Sequence, residues 1–599
     1  MIEKMHKYTF ILYHLDYLKF LADLQKLGMV HIIRSKAEKT EKMLHTQQQL
    51  DAYMEAIKLL KHWIPEHEEK GHTNLVPLKL RNQIEHAQQE REKLQHRLQT
   101  LTKEIAELEP WGNFMLDYFH RLEQHGLQVD LFFCTKNHFK QQWAEQYAIQ
   151  DINLIGNIKY FAILHKIDEP VQIDAEPFKL PHRSLADIKK AVTETESKIQ
   201  DIETFLTIHA TIATEQFTEE INHLSHSLEF EDAALHGIPE AENHVHVLQG
   251  WLPEKDTGEL ESFIRGKNIL YFHAPAKVDD NPPILLKNNW FARKFEPIGN
   301  MFMLPYYNEL DLTPFLAPFY MMFFGFCSGD TGYGIILFLL GWLLKRKFKN
   351  PEMQPFLTLI QTLGIGTVIM GFVMGSFFSF DMKKITWLEP MILMKNTNQI
   401  FNFALLLGFI QILTGKTLNA IKHMLQSGFV HGLSTLGMVF FIASLGIKGS
   451  TMLGANPGAL LKYTPYGMYL GLAMIFLLNM PGKNIFLNVA NGIWIMYGVI
   501  TGFFGDLLSY IRLFALGVSG GILGFVINTM ALQFMHIHYV GPVLFILFML
   551  AGHGLNIALS SLGAFVHPMR LTFVEFFNNS GFSGPGMEYK PFGKRQLVK

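Results

Sequence analysis

From about Leu312 to about residue 577, apolar stretches long enough to cross a bilayer follow one another, and no water-soluble fold needs that pattern. They run roughly 312–345, 355–380, 399–423, 427–447, 464–481, 485–535 and 541–577. The first 300 residues read differently. They hold 34 Lys/Arg and 45 Asp/Glu, a net charge of −11, whereas the rest holds 18 and 9, a net of +9. The two halves therefore suit different solvents, and the overall charge of −2 describes neither. The expected fold is an α-helical polytopic membrane domain of about eight transmembrane helices over 301–599. An elongated cytoplasmic α/β two-lobed coiled-coil domain over 1–300 precedes it.

Cys134 and Cys327 are too few for a disulfide framework and lack zinc-ligand spacing. A secreted stapled domain is excluded, and a nucleic-acid-binding basic face is not expected. The opening MIEKMHKYTFILYHLD is strand-like, without the long apolar region and small-residue cleavage site of a signal peptide, so the first half is expected in the cytoplasm. From about Ser35 to Leu108 the chain is rich in Glu, Gln, Lys, Leu and His. Leu94, Leu98, Leu101, Ile105 and Leu108 form a stripe at three-and-four spacing, and a second such segment runs from about Ser184 to Leu228. Two such segments most simply pair antiparallel as an intramolecular coiled coil. VDLFFCTKNHF and NIKYFAILHKI read as strands, and HVHVLQGWLPEKDTGELESFIRGKNILYFHA as strand, helix, strand. A rod with a small lobe at each end is a strut, and its stripes are packing seams.

Short loops rich in Lys and Arg stay on the cytoplasmic side. KRKFK, Lys345 to Lys349, and the tail with Lys590, Lys594, Arg595 and Lys599 are the basic segments. With the N-terminal half and the Lys345 to Lys349 loop both cytoplasmic, the chain crosses an even number of times before Lys345, so 312–345 must be a hairpin of two short spans. GFCSGDTGYG supplies its turn, with Gly329, Asp330, Gly332 and Gly334. The count is then eight spans if 485–504 lies on the surface or extends the next helix, and nine if it spans alone.

Two ionisable residues sit deep in apolar sequence. Arg512 lies in GDLLSYIRLFALGVSGGILG with Asp506 as its charged neighbour, and Arg570 lies in GAFVHPMRLTFVEFF, five residues before Glu575. A guanidinium at mid-membrane costs about 2.5–3.5 kcal/mol on insertion scales, so something must offset it. Snorkelling to a headgroup is the competing reading, weaker for Arg512 than for Arg570. Around Arg512, helical spacing gathers Gly505, Ser509, Ala515, Ser519 and Gly520, a small-residue face on which another helix can approach closely. On the last helix His553, Asn556, Ser560, Gly563, His567 and Arg570 form a polar stripe, readable as a hydrated path or as a seam between packed helices.

Some features mislead. TGKT at Thr414 to Thr417 looks like the end of a phosphate-binding loop, but the first glycine position falls on Ile410 and the segment is membrane-embedded. The pairs Gly364/Gly366 and Gly520/Gly524 read as helix-packing sites. No catalytic residue, metal site or cofactor site is expected.

GDLLSYIRLFALG, HGLNIALSSLGAFVHPMRLTFVEFF, the hairpin FFGFCSGDTGYG and the approach YYNELDLTPF together resemble subunit a, or subunit I, of the V-type and archaeal-type rotary ATPases, in the family's order and across essentially the whole chain. The resemblance implies a non-catalytic stator subunit beside a rotating ring of proteolipid subunits, with peripheral stalk and soluble ATPase subunits as further partners and ATP chemistry on other chains. It implies that Arg512 faces the ring and that Arg570 is the second family arginine. Glu575, His567, Ser560 and Asp506 are its candidates for lining the H+ or Na+ path. Some relatives carry a carboxylate on the last helix and a histidine after the first arginine, where this chain has Ser560 and Gly520. The short loops fit a prokaryotic cell membrane. A secondary transporter or channel with a cytoplasmic regulatory domain is the alternative.

Overall fold

Strand β1 (Met5–Tyr13) buries Tyr8, Phe10 and Leu12 at alternate positions, the period of a pleated strand with one face on a core. The computed structural model describes residues 1–34, 38–64, 76–179, 183–267, 269–348, 350–382, 389–452, 457–480, 482, 484–535, 537 and 539–593, so the expectations on Lys349, Lys594, Arg595 and Lys599 lie outside the described residues. After β1 come helix α1 (His14–Leu27) and strand β2 (His31–Ile32). Then follow α2 (Glu41–Leu60), α3 (Pro77–Leu108), α4 (Leu116–Gln124), β3 (Leu127–Thr135), α5 (Gln141–Gln146), β4 (Ala148–Ile155), β5 (Ile158–Lys166), β6 (Glu176–Phe178) and the 51-residue α6 (Leu185–Leu235). Next are β7 (Ile238–Glu240), β8 (Val245–Pro253), α7 (Thr257–Ile264), β9 (Leu270–Pro275) and α8 (Glu296–Phe302).

Packing divides the chain into two units. Met1–Ser35 and His236–Gly593 form one, and Lys36–Leu235 belongs to the other. In the second, the expected segment from 35 to 108 is two helices in tandem, α2 and α3, both antiparallel to α6. Lys42 pairs with Glu231 at 2.5 Å, the Tyr53 and Phe217 rings lie 5.3 Å apart, and Arg91 pairs with Glu203 at 3.0 Å, so numbers rise on one side as they fall on the other. Leu80, Ile84, Leu206, Ala210, Ala213 and Phe217 fill that seam. An antiparallel sheet in the order β4-β5-β3-β6 completes this unit. The strand over 148–155 went unread in the sequence because it alternates polar and exposed apolar residues without a buried face.

In the first unit, β2, β8, β1 and β9 lie side by side, all antiparallel, with Phe10 opposite Leu248 and Tyr271. Among the described residues eight further helices of 16 residues or more follow. They are α9 (Thr313–Ser328), α10 (Thr331–Lys347), α11 (Gln354–Met374), α12 (Thr397–Ser427), α13 (Phe429–Met452), α14 (Leu460–Leu477), α15 (Ile485–Phe534) and α16 (Gly541–Arg570). Five of the helices among the described residues are long and apolar enough to cross a membrane, and Thr313–Ser328 is a shorter apolar helix. Of the alternatives left open for 485–504, the structure shows these residues extending the next helix. These residues belong to one 50-residue helix, α15, about 75 Å long at 1.5 Å per residue, far more than a bilayer core of about 30 Å.

The hairpin expected over 312–345 is present as α9 and α10. Its turn holds Gly329 at φ 56°, and Asp330 is buried rather than facing water. The Asp330 carboxylate accepts the Tyr333 N–H at 3.1 Å, capping α10, and ties down the segment after α11 through Ser376 Oγ at 2.8 Å, Phe378 N at 2.9 Å and Ser379 N at 2.6 Å. Glycines let these helices meet closely. A Cβ on Gly364 would stand 2.7 Å from the Phe338 nitrogen and 3.0 Å from the Gly334 oxygen, which bears out the packing role read for it. Beyond α16 the chain runs back to the first sheet. Ile284 N–H donates to Met587 O, Lys590 N–H to His31 Nδ1 and Phe592 N–H to Val30 O, at 2.6, 2.9 and 2.8 Å.

Candidate ion-translocation site

Arg512 sits in mid-course of α15, and its surroundings divide by helix face. Tyr510, Leu513, Gly517, Gly524 and Asn528 are buried against the neighbouring helices. Leu508, Ala515 and Ser519 are exposed, and nothing lies within 4 Å of a Cβ placed on Gly505. Of the small-residue face read from the sequence, Gly505, Ala515 and Ser519 are therefore uncovered within this chain, while Ser509 and Gly520 are half-buried. Arg512 stands at its edge. The Nη1 nitrogen of its guanidinium is buried and meets no hydrogen-bond partner, and among the described residues Arg512 makes no ion pair. A buried polar nitrogen without a partner is unfavourable by about 1–3 kcal/mol, and the rest of the half-buried Arg512 side chain stays partly accessible.

On one side of Arg512 along α15 lies a group of polar side chains at the end of the bundle that holds Lys422. Asp506 accepts from Asn579 Nδ2 at 2.6 Å, and the same amide reaches the Glu575 carbonyl oxygen at 2.7 Å. Tyr510 donates to Gln411 Oε1 at 2.7 Å, and Lys416 faces Asp506. Glu575 is buried, with Oε2 unpartnered. It is carried by a π-helical turn, Leu571–Phe576, that interrupts the last helix directly after Arg570. Such turns shift the helical register and so re-aim side chains.

On the other side lies a closed chain of hydrogen bonds. Ser560 Oγ donates to Asn556 Oδ1 at 3.1 Å, and Asn556 Nδ2 donates to Tyr333 Oη at 2.8 Å. Tyr333 Oη then has its proton for His553 Nδ1 at 2.7 Å, which leaves Nε2–H to donate to Asn528 Oδ1 at 2.8 Å. Asn528 Nδ2 ends the chain on Phe378 O at 2.8 Å. From Asp506 to Asn528 is about 33 Å of helix rise, close to the thickness of a hydrocarbon core. Arg512 is thus flanked by two polar groups that reach toward opposite ends of the bundle.

The polar stripe expected on α16 divides accordingly. His553 and Asn556 form a seam between packed helices. Ser560 lies 3.2 Å from where a Cβ on Gly520 would stand. His567 is half-buried and within electrostatic reach of both Arg512 and Arg570, while Arg570 is exposed. Of the residues read from the sequence, the fold gathers Asp506 with the Asn579 amide that also touches the Glu575 backbone, and sets Ser560 and His567 along the Arg512 side of α16. It also supplies members that the sequence reading passed over, namely Tyr333, Gln411, Lys416, Tyr510, Asn528 and Asn579. The signal for them was a polar side chain inside an apolar helix. Lys416 lies in the TGKT run, which is plain helix, since Thr414 and Thr417 donate to Ile410 O and Leu413 O.

Residues 32–383 match the family model described as the V-type ATPase 116kDa subunit family. The chain belongs to this family. Its curated relatives include the V-type ATP synthase subunit I of Borreliella burgdorferi, 25% identical over 513 residues, covering 81% of this chain and 82% of that one. The V-type ATP synthase subunit I 1 of Treponema pallidum is 23% identical and covers 99% of this chain and 100% of its own. The A-type ATP synthase subunit I of Methanocaldococcus jannaschii is 27% identical over 390 residues, and the chain spans about half of that relative, 55%. The family-model match ends before α12, whereas the Treponema alignment runs on through the helices that carry Arg512 and Arg570.

Proposed function

We propose that this member of the V-type ATPase 116kDa subunit family is the membrane stator subunit of a rotary ATPase, carrying H+ or Na+ against a rotating ring of proteolipid subunits. On this reading residues 1–300 are a cytoplasmic two-lobed coiled-coil arm that meets the peripheral stalk and soluble ATPase subunits. Residues 301–599 cross a prokaryotic cell membrane eight times, α9 to α16, with both termini cytoplasmic. The single observation that carries the reading is the buried, unpartnered Arg512 Nη1 beside a helix face whose Gly505, Ala515 and Ser519 this chain leaves uncovered.

The mechanism follows from charge. A guanidinium cannot be deprotonated in a protein, so it disfavours a protonated or ion-loaded carboxyl site beside it and favours the bare carboxylate. A ring site must therefore release its ion before it passes Arg512, and it reloads after passing. Two access routes from opposite sides, kept apart by Arg512, then couple ion flow to rotation. The Asp506, Asn579 and Glu575 group supports a route from the cytoplasmic side, with the buried Glu575 carboxylate as the group that exchanges an ion. Ser560 and His567 support the wall facing the ring, and Arg570 a second fixed positive charge that keeps cations from crossing between the routes. ATP hydrolysis resides on other subunits.

The test is Arg512→Gln in the whole complex reconstituted in vesicles. ATP-driven ion uptake is expected to vanish while ATP hydrolysis by the soluble subunits survives uncoupled. Uptake that persists at a tenth or more of the parent rate would remove the reading, as would ion transport by this chain reconstituted alone.

A further inference from the structure

The outer face of α10 presents Ile335, Leu339, Leu340, Trp342 and Leu343 uncovered, from 38% to 58% exposed, so lipid chains lie along it if the helix spans. That stripe does not fade into neutral polar sequence. It ends in Lys345, Arg346 and Lys347. Lys345 is turned inward and donates to Thr358 Oγ1 at 2.8 Å, which leaves Arg346 and Lys347 at the surface. The Arg346 guanidinium lies over the Trp342 ring at 3.8 Å. Aromatic rings of this kind favour the headgroup level of a bilayer, so the pair fixes where Arg346 stands along the membrane normal.

A second, separate stretch of chain arrives at the same end of the bundle. The short turn before α8 holds Phe295 in the core beside Tyr320, in the second turn of α9, with ring centroids 6.4 Å apart. The first residue of α11, Gln354, donates to Lys345 O at 3.3 Å, which places the starts of α9 and α11 and the end of α10 on one side. On this turn Trp290 is 74% exposed, Lys294 lies over its ring at 4.4 Å, and Arg293 is exposed beside them. The motif is repeated from unrelated sequence: an uncovered indole with a cation on its face. Among the described residues none of Arg293, Lys294, Arg346 and Lys347 has an acidic side chain within ion-pair distance, whereas the nearby Lys287 pairs with Glu3 at 3.1 Å.

We infer that this belt binds the headgroups of anionic phospholipids, with Arg346, Lys347, Arg293 and Lys294 as the charge partners and Trp342 and Trp290 as the anchors that set their depth. Four cations without an ion-pair partner among the described residues, Arg293 with Glu296 within electrostatic reach, next to an apolar wall, match a phosphate diester attached to two acyl chains. A soluble phosphate would use the cations and leave the wall and indoles without purpose. Each cation near such a surface contributes enough for roughly a fivefold gain in affinity, and the gain weakens as salt rises.

The experiment uses the full chain in nanodiscs of equal parts phosphatidylcholine and phosphatidylglycerol, followed by detergent extraction and native mass spectrometry of the retained lipids. The parent chain is expected to keep phosphatidylglycerol in preference to phosphatidylcholine. Arg346→Gln with Lys347→Gln is expected to cut that preference by about thirtyfold, and Arg346→Lys with Lys347→Arg to keep it. Should the glutamine variant fail to fold, Lys294→Gln alone and a salt titration of the parent chain give the same readout, with a partial loss and a falling preference expected. Equal retention of the two lipids by the parent overturns the inference. So does an unchanged preference in the variants, or displacement of phosphatidylglycerol by inorganic phosphate or glycerol phosphate. Coupled transport is not the readout, so a failure here leaves the stator reading untouched, and a failure of that reading leaves this one intact.

Discussion

The two polar groups flanking Arg512 share only α15 and end in opposite states, one drawing on α12 and the turn after α16, the other on α10 and α16. From Ser560 through Asn556, Tyr333 and His553 to Asn528, each donor finds an acceptor, and the end of the chain is tied to backbone at Phe378. Around Arg512 and Glu575 the count does not close, since Arg512 Nη1 and Glu575 Oε2 are buried without partners. A satisfied network rigidifies and specifies a unique packing. The contrast separates residues whose hydrogen bonds hold the bundle together from the two whose buried polar atoms find no partner in this chain, for which the proposed role is contact with a passing ring site.

The sharpest way to break that contrast is to put bulk on each kind of surface. Gly364→Leu forces a side chain into the α10 backbone, where even a Cβ stands 2.7 Å from the Phe338 nitrogen, and no rotamer avoids it. The expected loss exceeds about 3 kcal/mol, enough to abolish the cooperative melting transition of the solubilised chain. In Gly505→Leu the new Cβ meets nothing within 4 Å, and leucine improves helix propensity. Its melting temperature is expected to match the parent's, while co-purification of the proteolipid ring is lost. If both variants melt alike, the open face is not open.

His553→Ala is next in size. It strands the Tyr333 hydroxyl and Asn528 Oδ1 together, each at about 1–3 kcal/mol for a buried polar group left unpaired, so a loss near 3 kcal/mol is expected in chemical denaturation. Arg512→Gln is the counterpart. Removing a charge that already lacks a partner is expected to leave the isolated chain as stable as before or slightly more so. A large destabilisation would mean that Arg512 is a packing residue.

How much of this was readable beforehand depends on whether a feature is local. The hairpin at Gly329 and Asp330 was legible because a turn needs particular residues at particular places, and the apolar stretches were legible because a bilayer fixes their length. The single helix from Ile485 to Phe534 was left open among alternatives, since the partners of Asp506 inside it, Lys416 and Asn579, arrive from 90 residues upstream and 73 downstream. Asp330 shows the same limit. Its position at a turn was plain, yet its role as a tie to Ser376, Phe378 and Ser379 depends on a segment that follows α11. Arg512 and Arg570 were both found by their cost in lipid, and only the fold separates the half-buried one from the exposed one.

The smallest effect concerns the tail that follows α16 and runs back to β2. Lys590 N–H donates to His31 Nδ1, so that nitrogen must be unprotonated for the bond to exist. Burial, with Arg34 and Lys590 as the nearby positive charges, lowers the His31 pKa from 6.5 to about 4. The sign follows directly. The folded state disfavours the proton that the unfolded state accepts below pH 6.5, so this contribution to stability is complete above pH 6.5 and shrinks as pH falls toward 4. About 2 kcal/mol is expected to be gone by pH 5. Hydrogen exchange at Lys590 and Phe592, whose N–H groups bond to His31 and to Val30 O, is the measurement. Protection beyond that explained by the intrinsic pH dependence of exchange should decline between pH 6.5 and 5 in the parent chain. In His31→Gln, whose side-chain oxygen accepts at any pH, it should not. A tail that loosens equally in both is held by Tyr589 and Phe592 packing, and the polar tie at His31 is then incidental to it.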